Sequence, residues 1–334
     1  GHWHGHFVVD VVQGGAGTST NMNANEVIAN RALELLGHDR GEYRYCHPNN
    51  HVNLSQSTND AYPTAVRVAV VLELADLLAA LGTLEADLQT KAVEFGNVLK
   101  MGRTQLQDAV PMTMGQEFDA FAVTTAEDIA RLSETARLFL EVNLGGTAIG
   151  TGINADPRYP QIAVAELAAI TGLDLVLAPN LVEATPDTGA FVSFSGVLKR
   201  VAVKLSKICN DLRLLSSGPR CGLNEINLPA VQPGSSSMPG KINPSICEAA
   251  NMACIQVVGN DAAVAMAMCY VIVKNGLYNK EFVTNWTSGF EEFKKRLMGE
   301  EDGIARTPRW ASKISGVPAE TIERIALEFA KAKA

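Results

Sequence analysis

Residues 62–81 read Tyr62-Pro-Thr-Ala-Val-Arg-Val-Ala-Val-Val-Leu-Glu-Leu-Ala-Asp-Leu-Leu-Ala-Ala-Leu81, and within them Val66, Val70, Leu74, Leu77 and Leu81 recur at intervals of three and four. That spacing predicts an amphipathic helix, continued by the same pattern to about Leu99. Two further helices are expected from about Met112 to Val142 and from Asp187 to Ser217, the second capped by Asp187 and stopped at Gly218-Pro219. A fourth opens at Pro244. Helices of roughly thirty residues span about 45 Å, too long for a compact globule and suited to a bundle shared between subunits. The expected fold is all-α, a long-helix bundle, and helix length by itself implies oligomerisation. The glycine-rich stretches read as short loops between helices, and no internal repeat interrupts the pattern.

The 334 residues carry a net charge of −8 with both signs interspersed, which excludes a nucleic-acid surface, since phosphate binding needs clustered Lys and Arg. Residues 261–273 form the longest nearly apolar run, too short to span a bilayer, and no basic stretch precedes an apolar core at the N-terminus. No membrane partner is expected, and a cytoplasmic location is. The six cysteines, at 46, 209, 221, 247, 254 and 269, lack metal-ligand spacing and read as reduced thiols. Cys247 and Cys254, seven apart, share a helical face and read as core. All six histidines lie within the first 51 residues, so a histidine base is poorly placed for the helical body. His2, His4 and His6 lack the fixed surroundings that a working metal site needs. Gly14-Gly15-Ala16-Gly17 has no preceding βαβ pattern and reads as a tight turn presenting Thr18, not a dinucleotide fingerprint. No metal and no cofactor are expected.

Residues 234–244, Gly-Ser-Ser-Ser-Met-Pro-Gly-Lys-Ile-Asn-Pro, carry the chemistry. Gly234 gives the backbone freedom to move or to take positive φ, the serines supply hydroxyls and closely spaced N–H donors, and Gly240 leaves Lys241 uncrowded. The stretch reads as a mobile, donor-rich lid suited to deprotonating a carbon beside a carboxylate. Pro244 suits the first turn of the following helix with Asn243 as its cap, which holds Lys241 and Asn243 at a positive helix end that attracts anions.

This loop resembles the signature of the aspartase/fumarase superfamily, and further stretches are similar to its aspartate ammonia-lyase branch. They are Gln13-Gly-Gly-Ala-Gly-Thr-Ser-Thr-Asn-Met-Asn23, His51-Val-Asn-Leu-Ser-Gln-Ser-Thr-Asn-Asp60, Gly102-Arg-Thr-Gln-Leu-Gln-Asp-Ala-Val-Pro111 and Ser206-Lys-Ile-Cys-Asn-Asp-Leu-Arg-Leu-Leu-Ser-Ser-Gly-Pro-Arg220. The resemblance spans residues 5–267. It implies an all-helical homotetramer with a long central bundle, active sites each built from three subunits, and anti elimination across a four-carbon dicarboxylate. The reaction implied is reversible loss of ammonia from L-aspartate to give fumarate. The alternatives are a fumarate hydratase and a catalytically inactive oligomerising fragment.

By the same resemblance Ser235 is the base, acting as an oxyanion once the loop closes. A free serine hydroxyl is far too weak, so the loop N–H groups and Lys241 must lower its pKa. Thr104, Lys241 and Asn243 resemble a clamp on the α-carboxylate, for which a cation and two neutral donors are apt. Thr18, Ser57, Thr58 and Asn59 resemble the groups around the amine and the β-carboxylate, with Ser236 closing over the latter. Removal of the Cβ proton makes the β-carboxylate an enediolate-like dianion, and fixed donors aimed at such charge typically supply ~3 to 4 kcal/mol each. Gln105 holds substrate by hydrogen bonds but cannot titrate. That favours ammonia, which leaves as a neutral amine, over water, which needs an acid. Gly17-Thr18-Ser19 points the same way, because hydratases of the family usually carry glutamine after the threonine.

Three segments are expected: residues 1–60 as the remainder of an N-terminal domain, entered part-way along, residues 61–268 as the helical bundle with the catalytic loop, and residues 269–334 as a helical appendage. The bundle is incomplete by comparison with the family. Residues 270–334 look instead like part of a molybdopterin oxidoreductase, in Gly276-Leu-Tyr-Asn-Lys-Glu-Phe-Val-Thr-Asn-Trp-Thr-Ser-Gly-Phe290 and Trp310-Ala-Ser-Lys-Ile-Ser-Gly-Val-Pro-Ala-Glu-Thr-Ile-Glu-Arg324. This segment has neither a cysteine cluster nor a pterin loop, so no cofactor is assigned to it. Thr307-Pro308 reads as a turn and the run from Ala319 as a short amphipathic helix in a solvated appendage.

Overall fold

The computed structural model describes residues 2–9, 16–286 and 288–331. Gly14 and Gly15 of the expected tight turn, and Gln13 before them, lie outside these residues. In chain order the elements are α1 (Thr18–Leu35), α2 (Thr58–Glu94), β1 (Leu99–Thr104), β2 (Gln107–Thr113), α3 (Met114–Ala136), β3 (Glu141–Val142), α4 (Tyr159–Thr171), β4 (Val176–Leu177), α5 (Leu181–Ala184), α6 (Gly189–Leu215) and α7 (Ser245–Lys274). Four short helices follow: α8 (Lys280–Trp286), α9 (Phe290–Met298), α10 (Pro308–Ser315) and α11 (Ala319–Lys331).

The all-α class holds, and the long helices stand where periodicity put them. With 37 residues, α2 is about 55 Å long. It starts four residues before Tyr62, because Ser57 and Asp60 close a capping box: Asn59 N–H donates to Ser57 Oγ at 3.2 Å and Ser57 N–H donates to Asp60 Oδ1 at 2.8 Å. Asp187 accepts from Gly189 N–H at 3.0 Å and so helps to start α6 as expected. Two small sheets depart from the helical pattern, an antiparallel β1–β2 hairpin and a parallel β3–β4 pair. The hairpin shortens both neighbours, since α2 stops before it and α3 begins after it.

The chain forms two compact units, one of Gly1–Leu72, Ala136–Ala190 and Ala262–Ala334, the other of Glu73–Thr135 and Phe191–Asp261. The boundaries expected after residues 60 and 268 both fall inside continuous helices, α2 and α7. In the second unit Leu88, Ala92, Met114, Phe118, Phe121 and Leu215 form the core of α2, α3 and α6, with Phe118 edge-on to Phe95 and Phe121 at 5.3 and 5.8 Å between centroids. Burial of each Leu, Met or Phe side chain among them contributes about 1.5–3 kcal/mol. In the first unit one cluster, Val142, Leu144, Val164 and Leu175, backs β3 and α4.

A second cluster in that unit corrects the reading of the C-terminal segment as a solvated appendage. Ala311 and Ile322 are fully buried against Ala263 and Ala267 of α7, with Trp310, Ile314 and Val317 around them. Thr307-Pro308 is no isolated turn either: Thr307 Oγ1 accepts from Trp310 N–H at 3.1 Å, and Pro308 opens α10, where a missing N–H costs nothing. Of the described helices, α7 alone is long and apolar enough to cross a bilayer. Two of its polar side chains are nonetheless matched to α6, Asn251 donating to Asn210 at 3.0 Å and Glu248 lying 3.7 Å from Arg213. Buried Cys247 and Cys254 take the core positions expected of them.

Candidate active site

The start of α2 gathers one set of polar groups. Gly17 precedes α1 with φ of 86°, and a Cβ there would overlap the Tyr62 ring, so only glycine lets the chain run against α2. Thr18, exposed, is the first residue of α1. Ser57, Thr58 and Asn59 form the first turn of α2 and its cap. While accepting from Asn59 N–H, the Ser57 hydroxyl keeps its own proton to donate.

Two residues that the sequence did not single out hold this set. Pro63 has no N–H to give the Asn59 carbonyl four residues back. Asn143 Nδ2 donates to that carbonyl instead, at 3.0 Å. Asn59 Nδ2 in turn donates to Ala148 O at 2.7 Å. Asp60, fully buried, accepts from Ser57 N–H with one oxygen and from Gly145 and Thr147 N–H, at 3.1 and 2.8 Å, with the other. Burial pushes the Asp60 carboxyl above its ordinary range, against the downward pull of these N–H groups. The capping-box spacing Ser57-x-x-Asp60 was the signal for Asp60. For Asn143, 84 residues away from Asn59, the sequence holds no local signal.

The glycine-rich loop lies in the second unit and closes on itself. Gly234 N–H donates to Lys241 O at 3.0 Å and Asn243 Nδ2 donates to Gly234 O at 2.9 Å. A Cβ on Gly234 would overlap the Lys241 carbonyl, so glycine serves close approach there and not positive φ, which belongs to Gly240 at 77°. Ser235 Oγ accepts from the N–H groups of Ser237 and Met238, both at 3.2 Å, and stands 3.4 Å from Ser237 Oγ. Ser236 and the Lys241 side chain are exposed. The expected side-chain cap is corrected: Asn243 gives its amide to Gly234, and the Pro244 carbonyl accepts the first helical bond, from Glu248 N–H at 3.0 Å. Lys241, Asn243 and Pro244 line a cavity of about 250 Å³ with Ser216, Asn224 and Asn227.

Thr104 and Gln105 sit at the hairpin turn of that unit. Thr104 pairs with Gln107, leaving Gln105 and Leu106 as a two-residue loop with φ of 51° and 61°. Positive φ at both residues defines a turn usually filled by Asn and Gly. Gln105 lines a different cavity, of about 340 Å³, with Lys100, Arg103 and Glu117. Within one chain, then, Gln105 and the pair Lys241–Asn243 face separate spaces. His47 and His51 do local structural work, His47 Nδ1 accepting from Asn49 and Asn50 N–H and His51 Nδ1 from His47 N–H. Among the described residues no group of three or more His, Cys, Asp or Glu stands ready to hold a metal ion.

Comparison with known proteins places the sequence and its helical architecture in a family. The profile of a family described as lyase covers residues 1–259. An aspartate ammonia-lyase of Pseudomonas fluorescens is 68% identical over 268 residues, 80% of this chain and 56% of the relative. The fumarate lyase:delta crystallin structure from Brucella melitensis superposes with a TM-score of 0.76 at 66% identity, over 78% of this chain and 57% of that one. A class II fumarase from Schistosoma mansoni gives 0.70 at 40% identity, over 75% and 56%. The chain spans about half the length of the curated relatives it matches. With a family profile over most of its length and a matching helical architecture, the chain belongs to the lyase family of the aspartase/fumarase superfamily.

Proposed function

We propose that the chain carries the catalytic groups of an aspartate ammonia-lyase, converting L-aspartate reversibly to fumarate and ammonia. The observation that carries this reading is Ser235 Oγ, held as acceptor by two backbone N–H groups on the loop that also bears Lys241 and Asn243. Such donors stabilise an oxyanion, as a serine base requires. Ser235 takes the Cβ proton, and the C–H electron pair passes to the β-carboxylate, over which Ser236 closes, while Thr18 and Ser57–Asn59 surround that carboxylate and the amine. That pair then returns to form the Cα–Cβ double bond as the C–N bond breaks and neutral ammonia departs. Thr104, Lys241 and Asn243 hold the α-carboxylate, and Gln105 donates hydrogen bonds without titrating. No cofactor enters the scheme.

The separate cavities lined by Gln105 and by Lys241 support sites assembled from several subunits of a homotetramer, each chain serving more than one site. Unpaired cysteines, two of them buried, suit a reducing cytoplasmic setting. Ultraviolet absorbance of fumarate formed from L-aspartate and from L-malate tests the assignment. Deamination should be the faster. Faster product from malate sinks the ammonia-lyase assignment in favour of a hydratase, and no product from either favours the reading as an inactive fragment, whose oligomerisation light scattering tests.

A further inference from the structure

The positive-φ turn at Gln105 and Leu106 is strained for side-chain-bearing residues, and such strain persists only where the surroundings hold it. Those surroundings are ionic. Glu225 Oε1 accepts from Arg103, Oε2 lies 3.0 Å from Lys100 Nζ, and Lys100 also pairs with Glu117 of α3. The Lys100 side chain is only 5% exposed, and Glu225 and Arg103 retain 16% and 18%, so the pairs are shielded from screening by solvent. Glu225 itself is tied to the end of α6, its N–H donating to Leu215 O at 2.8 Å. Between Met101 and Arg103 the hairpin register slips by one residue, an irregularity that re-aims side chains, and both cations, an odd number of residues apart, converge on one carboxylate. Gln105 lines the same cavity as Lys100 and Arg103, so whatever moves those cations moves the wall it belongs to.

We propose that Glu225 is a positioning residue: through Lys100 and Arg103 it locks the β1–β2 hairpin to the end of α6 and so sets where Thr104 and Gln105 meet the substrate. The proposal rests on the ammonia-lyase reading for the identity of that substrate, but not for the anchoring itself. Removal of the charge in Glu225→Gln leaves Lys100 with Glu117 alone and Arg103 with only Asp108, at 4.0 Å. Charge-assisted bonds of this kind are about twice as strong as neutral ones, so the hairpin should loosen while the apolar core beneath it stays.

Hydrogen exchange of residues 99–113 and steady-state kinetics with L-aspartate, both on the full chain, test it. Glu225→Gln should speed hairpin exchange about ten-fold and raise KM about ten-fold with kcat within about two-fold, since Gln105 and Thr104 bind and do not transfer protons. Glu225→Asp should recover much of the loss, and Lys100→Met, which reaches the same anchor from the other side, should reproduce it should Glu225→Gln not fold. Wild-type exchange rates in both charge-removing variants overturn the proposal, as does a loosened hairpin with unchanged KM. If the wild-type chain makes no fumarate, the activity reading fails by itself, and the exchange comparison then decides the anchoring alone.

Discussion

Ser235 and Asp60 are both oxygen acceptors of backbone N–H groups, and burial separates their roles. Ser235 belongs to an open loop, so removing its oxygen leaves the Ser237 and Met238 amides facing water. Ser235→Ala should therefore keep unfolding free energy within about 0.5 kcal/mol of wild type while turnover disappears. Parallel urea melts and fumarate assays check it, and retention of a tenth of the activity rules Ser235 out as the base. Asp60 is buried, and an amide in its place cannot accept at both positions, so Asp60→Asn should cost about 1–3 kcal/mol. Its pH dependence follows from the raised pKa. The folded state binds the Asp60 proton more tightly than the unfolded chain, so this contribution is whole below the ordinary value of 3.8 and is lost as pH rises through the raised one. Asparagine does not titrate. The cost of Asp60→Asn, by urea unfolding, should thus be larger at about pH 4 than at about pH 7, and the reverse order contradicts the assigned cause.

At the scale of elements, the helices were legible and the hairpin was not. A three-to-four residue recurrence is a local property, so α2, α3 and α6 could be drawn to within a few residues. Residues 99–113 instead bend at Gln105-Leu106, a pair without the glycine or asparagine that announces such a turn. Leu106 is 72% exposed at φ of 61°, so its side chain repays little of the strain. Leu106→Gly should raise stability by about 0.5–1 kcal/mol, the relief of a left-handed residue less the entropy glycine loses on folding. A lower melting temperature for this variant contradicts the strained-turn reading. The same strain is what gives the Lys100–Glu225–Arg103 anchor something to hold.

For the whole molecule, the residues of the proposed site divide between two compact units, Thr18 and Ser57–Asn59 in one, Thr104, Gln105 and the glycine-rich loop in the other. The first unit owes part of its core to the C-terminal helices. Ile322 has no exposed surface, and Ile322→Ala should cost about 2–5 kcal/mol through lost burial and the cavity left behind. Hydrogen exchange should then lose protection in residues 263–271 and 308–331 while residues 99–113 keep theirs. Unchanged protection in the C-terminal helices shows that the cluster around Ala267 does not hold them.

The sequence by itself determined what depends on neighbours in the chain: the long helices, from their apolar period, and the chemistry-bearing loop, from its hydroxyls, lysine and amide. The family followed from several such stretches in order. Only the tertiary structure decided how those groups are held. Asn143 fills a carbonyl that Pro63 cannot serve, across 84 residues. Glu225 meets Arg103, two residues before the Gln105 turn, across 122. Gly234 is glycine because the Lys241 carbonyl passes over it, and α11 is a core helix because Ala267 of α7 lies beneath Ile322. Each is a contact between residues distant in sequence, and local periodicity carries no record of which distant backbone a side chain will meet.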